Sequence, residues 1–278
     1  MTGGAPSEDL ALAVRLARAA GDAIEALRRH GFSTSDKADR SPVTEADLVA
    51  DRIITEGLRA ARPDDGILSE ESPWVPGASP SDAVWCVDPI DGTEAYIDTT
   101  RRGYAVQIAR LERAPGGEYR PVLGVVFEPS QDELFAADRD GTLHFWRAGV
   151  EAPIAPPAGS ARRVVMSTRA PRFLREALLA RGYGDAGLLR SVGVKVGHIL
   201  LGHADIYPAA PALAYWDLAA PQVILEAAGG TVTDLRGATP IYRFDAGARG
   251  AYFDLPMVLT RGVEHHRVLA DLQAITPL

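Results

Sequence analysis

Trp85-Cys86-Val87-Asp88-Pro89-Ile90-Asp91-Gly92-Thr93 is the stretch from which the rest of the chain is best read. An apolar strand ends here, and two aspartates three residues apart follow, separated by a proline and released by a glycine. Hard divalent cations such as magnesium take oxygen ligands, which carboxylates and a backbone carbonyl supply. Pro89 stiffens the turn, so Asp88, the Ile90 carbonyl and Asp91 are expected to converge on one locus. Gly92 and Thr93 then offer backbone N–H groups at the mouth of a helix, a good place for phosphate oxygens. The plainer alternative is a strand and an ordinary turn, because Asp-x-x-Asp-Gly is sound turn chemistry. This segment alone does not decide between them.

Working outward, three more acidic segments bear on the choice. Ile67-Leu68-Ser69-Glu70-Glu71 is a short apolar strand ending in paired glutamates, and Tyr215-Trp216-Asp217 places an acid at the start of an apolar helix. Taken singly, Glu70-Glu71 reads as an exposed strand end and Asp217 as a helix N-cap. An N-cap at Asp217 would put Pro221 where helix N–H groups have no intrahelical partner. In Asp39-Arg40-Ser41-Pro42-Val43-Thr44-Glu45-Ala46-Asp47, Thr44 opens a helix with acids in its first turn. That local reading leaves Asp47 with surface charge only.

Organisation along the chain gives the fold class. The 278 residues are 46% hydrophobic with 27 Gly and 20 Pro, enough for two closely packed subdomains and ample turns. Helical periodicity runs over 7–30 and 46–61. Strands follow at 66–68, 83–87, 104–111, 122–127, 133–137 and 142–146. The Pro-rich segment 152–159 reads as a linker. Beyond it strands (164–167, 205–207, 231–235, 257–260) alternate with helices (171–181, 194–201, 218–228, 265–274). The expected class is α/β: an α+β first half, 1–150, carrying most metal ligands, and an α/β second half, 160–278, completing the site.

Composition also excludes classes. A formal charge of −8 argues against a nucleic-acid polymer as partner, and Arg28-Arg29, Arg101-Arg102 and Arg162-Arg163 are too scattered for a basic stripe. There is no apolar run of membrane-spanning length and no signal-peptide pattern at the N-terminus. The lone Cys86 lies in an apolar run and reads as inert core, so a cytoplasmic setting is expected.

Four segments in order, Pro42-Val43-Thr44-Glu45-Ala46-Asp47, Leu68-Ser69-Glu70-Glu71, Asp88-Pro89-Ile90-Asp91-Gly92-Thr93 and Trp216-Asp217-Leu218-Ala219-Ala220, resemble the inositol monophosphatase superfamily of magnesium-dependent, lithium-sensitive phosphatases. The resemblance runs from about residue 8 to about 240 and implies a layered αβαβα sugar-phosphatase-like fold, a homodimer, and a small phosphorylated substrate. It implies that Glu70, Asp88 and the Ile90 carbonyl hold one Mg2+, that Asp88, Asp91 and Asp217 hold a second, and that Glu70 helps with a third. Two cations ~3.5–4 Å apart can clamp the attacking and leaving oxygens of an in-line displacement. The resemblance further implies that Asp47 and Thr93 orient the attacking water and that the N–H groups of Gly92 and Thr93 hold the phosphate.

Within the superfamily, Ser41-Pro42-Val43-Thr44, Gly124-Val125-Val126-Phe127-Glu128-Pro129 and Ser191 through Pro208 look most like the 3'(2'),5'-bisphosphate nucleotidases. That branch implies Lys195 at a second substrate phosphate and Tyr207 at the base or sugar. Four departures surround the substrate and not the metals: Glu94-Ala95-Tyr96 for Lys-Glu-Phe, Ala209 for a basic residue, Val192-Gly193 for a serine pair, and Pro221 for glycine. An inositol, sugar or histidinol phosphate therefore stays open as the substrate, as does, more remotely, a metal-binding relative without turnover. His198 and His203 read as structural, His265-His266 as surface, Trp85 and Trp216 as packing beneath the site, and Gly229-Gly230 as a helix stop.

Overall fold

The computed structural model describes residues 6–37, 42–72, 74–78, 82–98, 100, 103–154, 156–157, 162–244 and 251–276. Asp39-Arg40-Ser41, Arg101-Arg102 and parts of the Pro-rich segment (155 and 158–159) lie outside the described residues.

Two helices open the chain, α1 (Glu8–His30) and α2 (Glu45–Ala61). Ser7 caps α1 by accepting the Leu10 N–H at 3.1 Å, and Leu10, Ala13, Ala17, Ala20 and Ile24 form its fully buried stripe. A short antiparallel pair lies between them, β1 (Thr34–Asp36) and β2 (Pro42–Thr44). The first large sheet has the order β3 (Gly66–Ser69), β4 (Ala83–Asp91), β5 (Ala105–Arg113), β6 (Tyr119–Glu128), β7 (Glu133–Asp138), β8 (Leu143–Arg147) and β9 (Val150–Glu151). β3 and β4 are parallel and every later pair is antiparallel. The short helix α3 (Thr93–Ile97) follows β4 directly.

β4 is buried along its whole length because both faces of the sheet are covered. Its residues alternate: Trp85 and Val87 pack with α1 and α2, Val84 and Cys86 with the opposite core. That opposite core is supplied by α5 (Val192–Leu200) and α6 (Tyr215–Ala227). Gly124 of β6 allows the close approach of α6, since a Cβ there would sit 2.6 Å from the Ala220 carbonyl oxygen. A second sheet lies beyond these helices, in the order β11 (Gly184–Leu189), β10 (Arg163–Ser167), β12 (Ile206–Pro208), β14 (Met257–Thr260), β13 (Thr231–Asp234). α4 (Arg172–Ala180) and α7 (His265–Ile275) cover its outer face through Leu178, Val268 and Leu272. The stack is helix, sheet, helix, sheet, helix, as expected, and among the described residues no helix is long and apolar enough to cross a membrane.

Several local expectations change. β11 was not expected: Gly-Asp-Ala-Gly-Leu-Leu contains no β-branched residue, and it is a strand because it pairs in parallel with β10. α6 begins at Tyr215, so Asp217 is its third residue and not its N-cap. Pro221 consequently lies inside the helix, where it has no N–H to give the Asp217 carbonyl. His265 is half-buried rather than surface, its ring nitrogens 2.8 Å from Thr233 Oγ1 and 2.7 Å from Thr260 Oγ1.

Candidate active site

β4 delivers the central acids through a defect in its ladder. Asp88 pairs with Gln107 but Asp91 with Ala105, so β4 spends three steps where β5 spends two. In a regular strand, residues an odd number apart face opposite sides. The extra residue at Pro89-Ile90 removes that alternation and brings both aspartates to one place. Pro89, lacking an N–H, suits a break in the ladder. Asp217 arrives from the first turn of α6, and carboxylate oxygens of Asp88, Asp91 and Asp217 all lie within 4.8 Å of one another.

Two of the three carboxylates are held by hydrogen bonds. Asp91 Oδ2 accepts from Gln107 Nε2 at 2.7 Å, Ser191 Oγ at 2.6 Å and the Gly193 N–H at 2.9 Å. Ser191 also caps α5 through the Val194 N–H, tying Asp91 to the opposite sheet's elements. Asp217 Oδ2 accepts the Ala214 N–H at 3.1 Å. Asp88 Oδ1 is buried and has no hydrogen-bond partner among the described residues. A buried carboxylate oxygen without a donor is costly. Burial first, then the neighbouring Glu70, Asp91 and Asp217, pushes the Asp88 pKa far up. Burial, Asp91 and Glu70 raise Asp217 to about 7. Asp91 is also raised by burial, against the pull of Lys195, Ser191 and Gly193. Three crowded carboxylates with one orphaned oxygen fit a bound divalent cation, with oxygen donors of the kind magnesium takes.

Glu70 lines the same cleft of about 390 Å³, as do Ile90, Gly92 and Thr93. Its Oε1 accepts from Lys37 Nζ at 2.8 Å, and Lys37 also reaches Glu71 at 2.6 Å. Burial works against the Lys37 ammonium, but these two glutamates outweigh it and raise its pKa. The Glu70 turn is pinned from below by Asp51, which accepts from Ser69 Oγ at 2.5 Å and from Ser72 Oγ.

α2 carries Asp47 one turn before Asp51. Thr44 and Asp47 make a reciprocal capping box: the Thr44 hydroxyl accepts the Asp47 N–H, and Asp47 Oδ2 accepts the Thr44 N–H at 2.7 Å. Asp47 is thus buried, not surface charge, and its other oxygen accepts from Thr93 Oγ1 at 3.2 Å. Burial is the main cause of its raised pKa. The Ile90 carbonyl lies equally near that hydroxyl, at 3.2 Å. Gly92 sits between them with φ +97°, a left-handed conformation in which a Cβ would approach the Gly103 carbonyl to 3.1 Å.

Two substrate-side expectations come out differently. Lys195 is fully buried, and its Nζ donates to the carbonyls of Arg190 at 2.6 Å and Leu189 at 3.3 Å. It lies 4.7 Å above the Tyr207 ring, which stands between its ammonium and the cleft. Burial lowers its pKa to about 8, against the attraction of Asp91 and Asp217. Tyr207 does line the cleft, although only 2% exposed. Trp85 packs in the core as expected, whereas Trp216 lines the cleft with Tyr252, ring centroids 5.6 Å apart. Gln107, Ser191, Lys37, Asp51, Arg169 and Arg190 drew no role from the sequence, since their partners are distant in the chain. The one available signal was the break in β4 opposite Gln107.

Comparison with known proteins agrees with this geometry. The profile described as "Inositol monophosphatase family" matches residues 5–276. The 3'(2'),5'-bisphosphate nucleotidase CysQ of Escherichia coli K12 is 35% identical over 231 residues, 80% of this chain and 89% of the relative. A histidinol-phosphatase of Chlorobaculum parvum is also 35% identical, over 240 residues, 84% of this chain and 88% of the relative. Among solved structures, an IMPase of Thermotoga maritima superposes with a TM-score of 0.76 at 22% identity, covering 97% of this chain and 98% of that one. With an acidic cluster at a bulged strand end and a match over almost its whole length, the chain belongs to the inositol monophosphatase family and is a phosphoric monoester hydrolase.

Proposed function

We propose that this enzyme is magnesium-dependent and cleaves a small bisphosphate at the carboxylate cluster, with a 3'(2'),5'-bisphosphate nucleotide as the leading substrate. The observation that carries the metal-dependent chemistry is the buried, partnerless Asp88 Oδ1 among Asp88, Asp91 and Asp217. Glu70, Asp88, the Ile90 carbonyl, Asp91 and Asp217 would hold two magnesium ions, with Glu70 available to a third. When bound, magnesium supplies Lewis acidity toward the phosphoryl group and lowers the pKa of water.

The chain's own groups do the rest. Thr93 Oγ1 has one proton and two acceptors at 3.2 Å, Asp47 Oδ1 and the Ile90 carbonyl. With its proton on Asp47, the Thr93 oxygen is free to accept from the attacking water and aim it at phosphorus. The elevated pKa of Asp47 makes it a better base for that proton. The N–H groups of Gly92 and Thr93 hold the phosphate, stabilising charge that spreads over its equatorial oxygens. The thiol of Cys86 is buried and has no part in this.

The nucleotide reading draws on similarity to the Escherichia coli nucleotidase. The Chlorobaculum relative, equally similar, makes histidinol phosphate the second reading. Phosphate release from adenosine 3',5'-bisphosphate, inositol 1-phosphate, fructose 1,6-bisphosphate and histidinol phosphate, with and without magnesium, separates them. A magnesium-dependent preference for the nucleotide supports the leading reading. A preference for histidinol phosphate replaces it while keeping the mechanism.

A further inference from the structure

Two arginines stand on the cleft wall facing the carboxylate cluster. Arg169 follows β10 and Arg190 follows β11. These strands are parallel, with Ser167 in register with Leu189, so both arginines leave the sheet at its carboxyl end. That end of a parallel pair is where ligands gather in open α/β sheets. Lys195 fixes the backbone of Arg190 from behind through its bond to the Arg190 carbonyl at 2.6 Å.

Glu94 spans the pair. Its Oε1 meets Arg169 Nη2 and its Oε2 meets Arg190 Nη2. The carboxylate comes from α3, one residue after Thr93, and all three side chains line the cleft. Among the described residues, the two guanidiniums share this one carboxylate beside a strongly acidic centre. An oxyanion bridging two arginines is the arrangement a phosphate adopts with such a pair. The Glu94 side chain is 35% exposed and that of Arg169 is 67% exposed, so the glutamate can swing to solvent without any backbone change.

We propose that Arg169 and Arg190 form a subsite for a second phosphate of the substrate, remote from the ester that is cleaved, and that Glu94 occupies this subsite until the ligand displaces it. The proposal rests on the phosphatase reading and names its substrate class. A phosphate near neutral pH carries close to two charges and three acceptor oxygens, so it outcompetes a single carboxylate. A neutral or singly charged group does not. Glu94 therefore admits a doubly charged phosphate to the subsite over a neutral or singly charged group, while reducing the advantage that the second phosphate confers over a simple monoester.

Adenosine 3',5'-bisphosphate and adenosine 3'-phosphate differ only in the second phosphate, so the ratio of their kcat/KM values reads the subsite. Arg169→Met should lower that ratio about tenfold, the size expected for one charge-assisted contact. Glu94→Gln should raise it, a gain that misfolding cannot imitate. Calorimetry with adenosine 5'-phosphate on the magnesium-loaded enzyme should follow the same order, weaker in Arg169→Met and tighter in Glu94→Gln. A ratio and an affinity that both stay within about twofold of wild type in the two variants would overturn the subsite. Absence of phosphate release from both esters would sink the nucleotide reading alone. Calorimetry then decides the subsite: an affinity that falls in Arg169→Met supports it, and an unchanged one overturns it.

Discussion

Replacing Asp217 by asparagine keeps the shape of the side chain and the acceptor for the Ala214 N–H, but removes one charge from the Asp88, Asp91, Asp217 cluster. Its pKa stands at about 7 against an ordinary 3.8. At ~1.4 kcal/mol per unit, a shift of that size corresponds to about 4 kcal/mol of destabilisation of the ionised, metal-free form. The side chain is half-buried on the cleft wall, so solvent screening trims this to roughly 2 kcal/mol. A carboxylate with a raised folded-state pKa favours the fold while protonated and loses that advantage as pH rises through about 7. Asp217→Asn should therefore raise the melting temperature of the metal-free enzyme by about 3 °C at pH ~8 and change it little at pH ~4. Magnesium should stabilise the wild type strongly at the higher pH and the variant much less. Thermal unfolding in chelator and in saturating magnesium, at the two pH values, reads all four numbers. A variant less stable than wild type at the higher pH without metal, or one with an undiminished magnesium response, would refute the electrostatic account of this cluster.

Other expectations follow from single contacts. Asp51→Asn weakens the grip on Ser69 and Ser72, so the magnesium concentration for half-maximal rate should rise several-fold with little change in kcat at saturation; titration of activity with magnesium checks it. Thr93→Val and Asp47→Asn should each lower kcat by about 10²–10⁴, the usual worth of positioned acid–base groups, while the magnesium-induced thermal shift in Thr93→Val persists. Gly92→Ala forces a Cβ into a left-handed conformation near the Gly103 carbonyl, and should cost about 1–2 kcal/mol by denaturant unfolding together with much of the activity. Burial, with His266 nearby, lowers the His265 pKa below its ordinary 6.5, so the unfolded chain takes up a proton first as pH falls. The stability this histidine contributes is therefore present above pH 6.5 and lost on acidification, and His265→Gln should flatten that part of the unfolding-versus-pH curve.

The layered fold and the four acidic segments were legible because each depends on neighbours within a few residues. A buried strand read as Ala83 to Val87, a capped helix opened by Thr44, and a proline and glycine framing two aspartates all announce themselves locally. What stayed hidden depends on distant pairing. Gln107 and Ser191 reach Asp91 only because of the register of β5 and the start of α5. β11 is a strand by virtue of β10, not of its own residues. Lys195 was expected at a substrate phosphate only because the stretch from Ser191 to Pro208 resembles the bisphosphate nucleotidases. Its burial behind Tyr207 comes from packing that sequence spacing does not show. Glu94 stood out as a departure, yet its meaning emerged only with the two arginines it bridges.

The central claim is that buried carboxylates at the end of β4 assemble a magnesium-dependent phosphatase centre. Initial rates of phosphate release from the best ester of the panel, followed against magnesium concentration for wild type and Asp88→Asn, test it most directly. The wild-type rate should climb from background to a plateau with magnesium, and Asp88→Asn should remain at background throughout. Release that needs no magnesium, or an Asp88→Asn enzyme that reaches the wild-type plateau, would contradict the account.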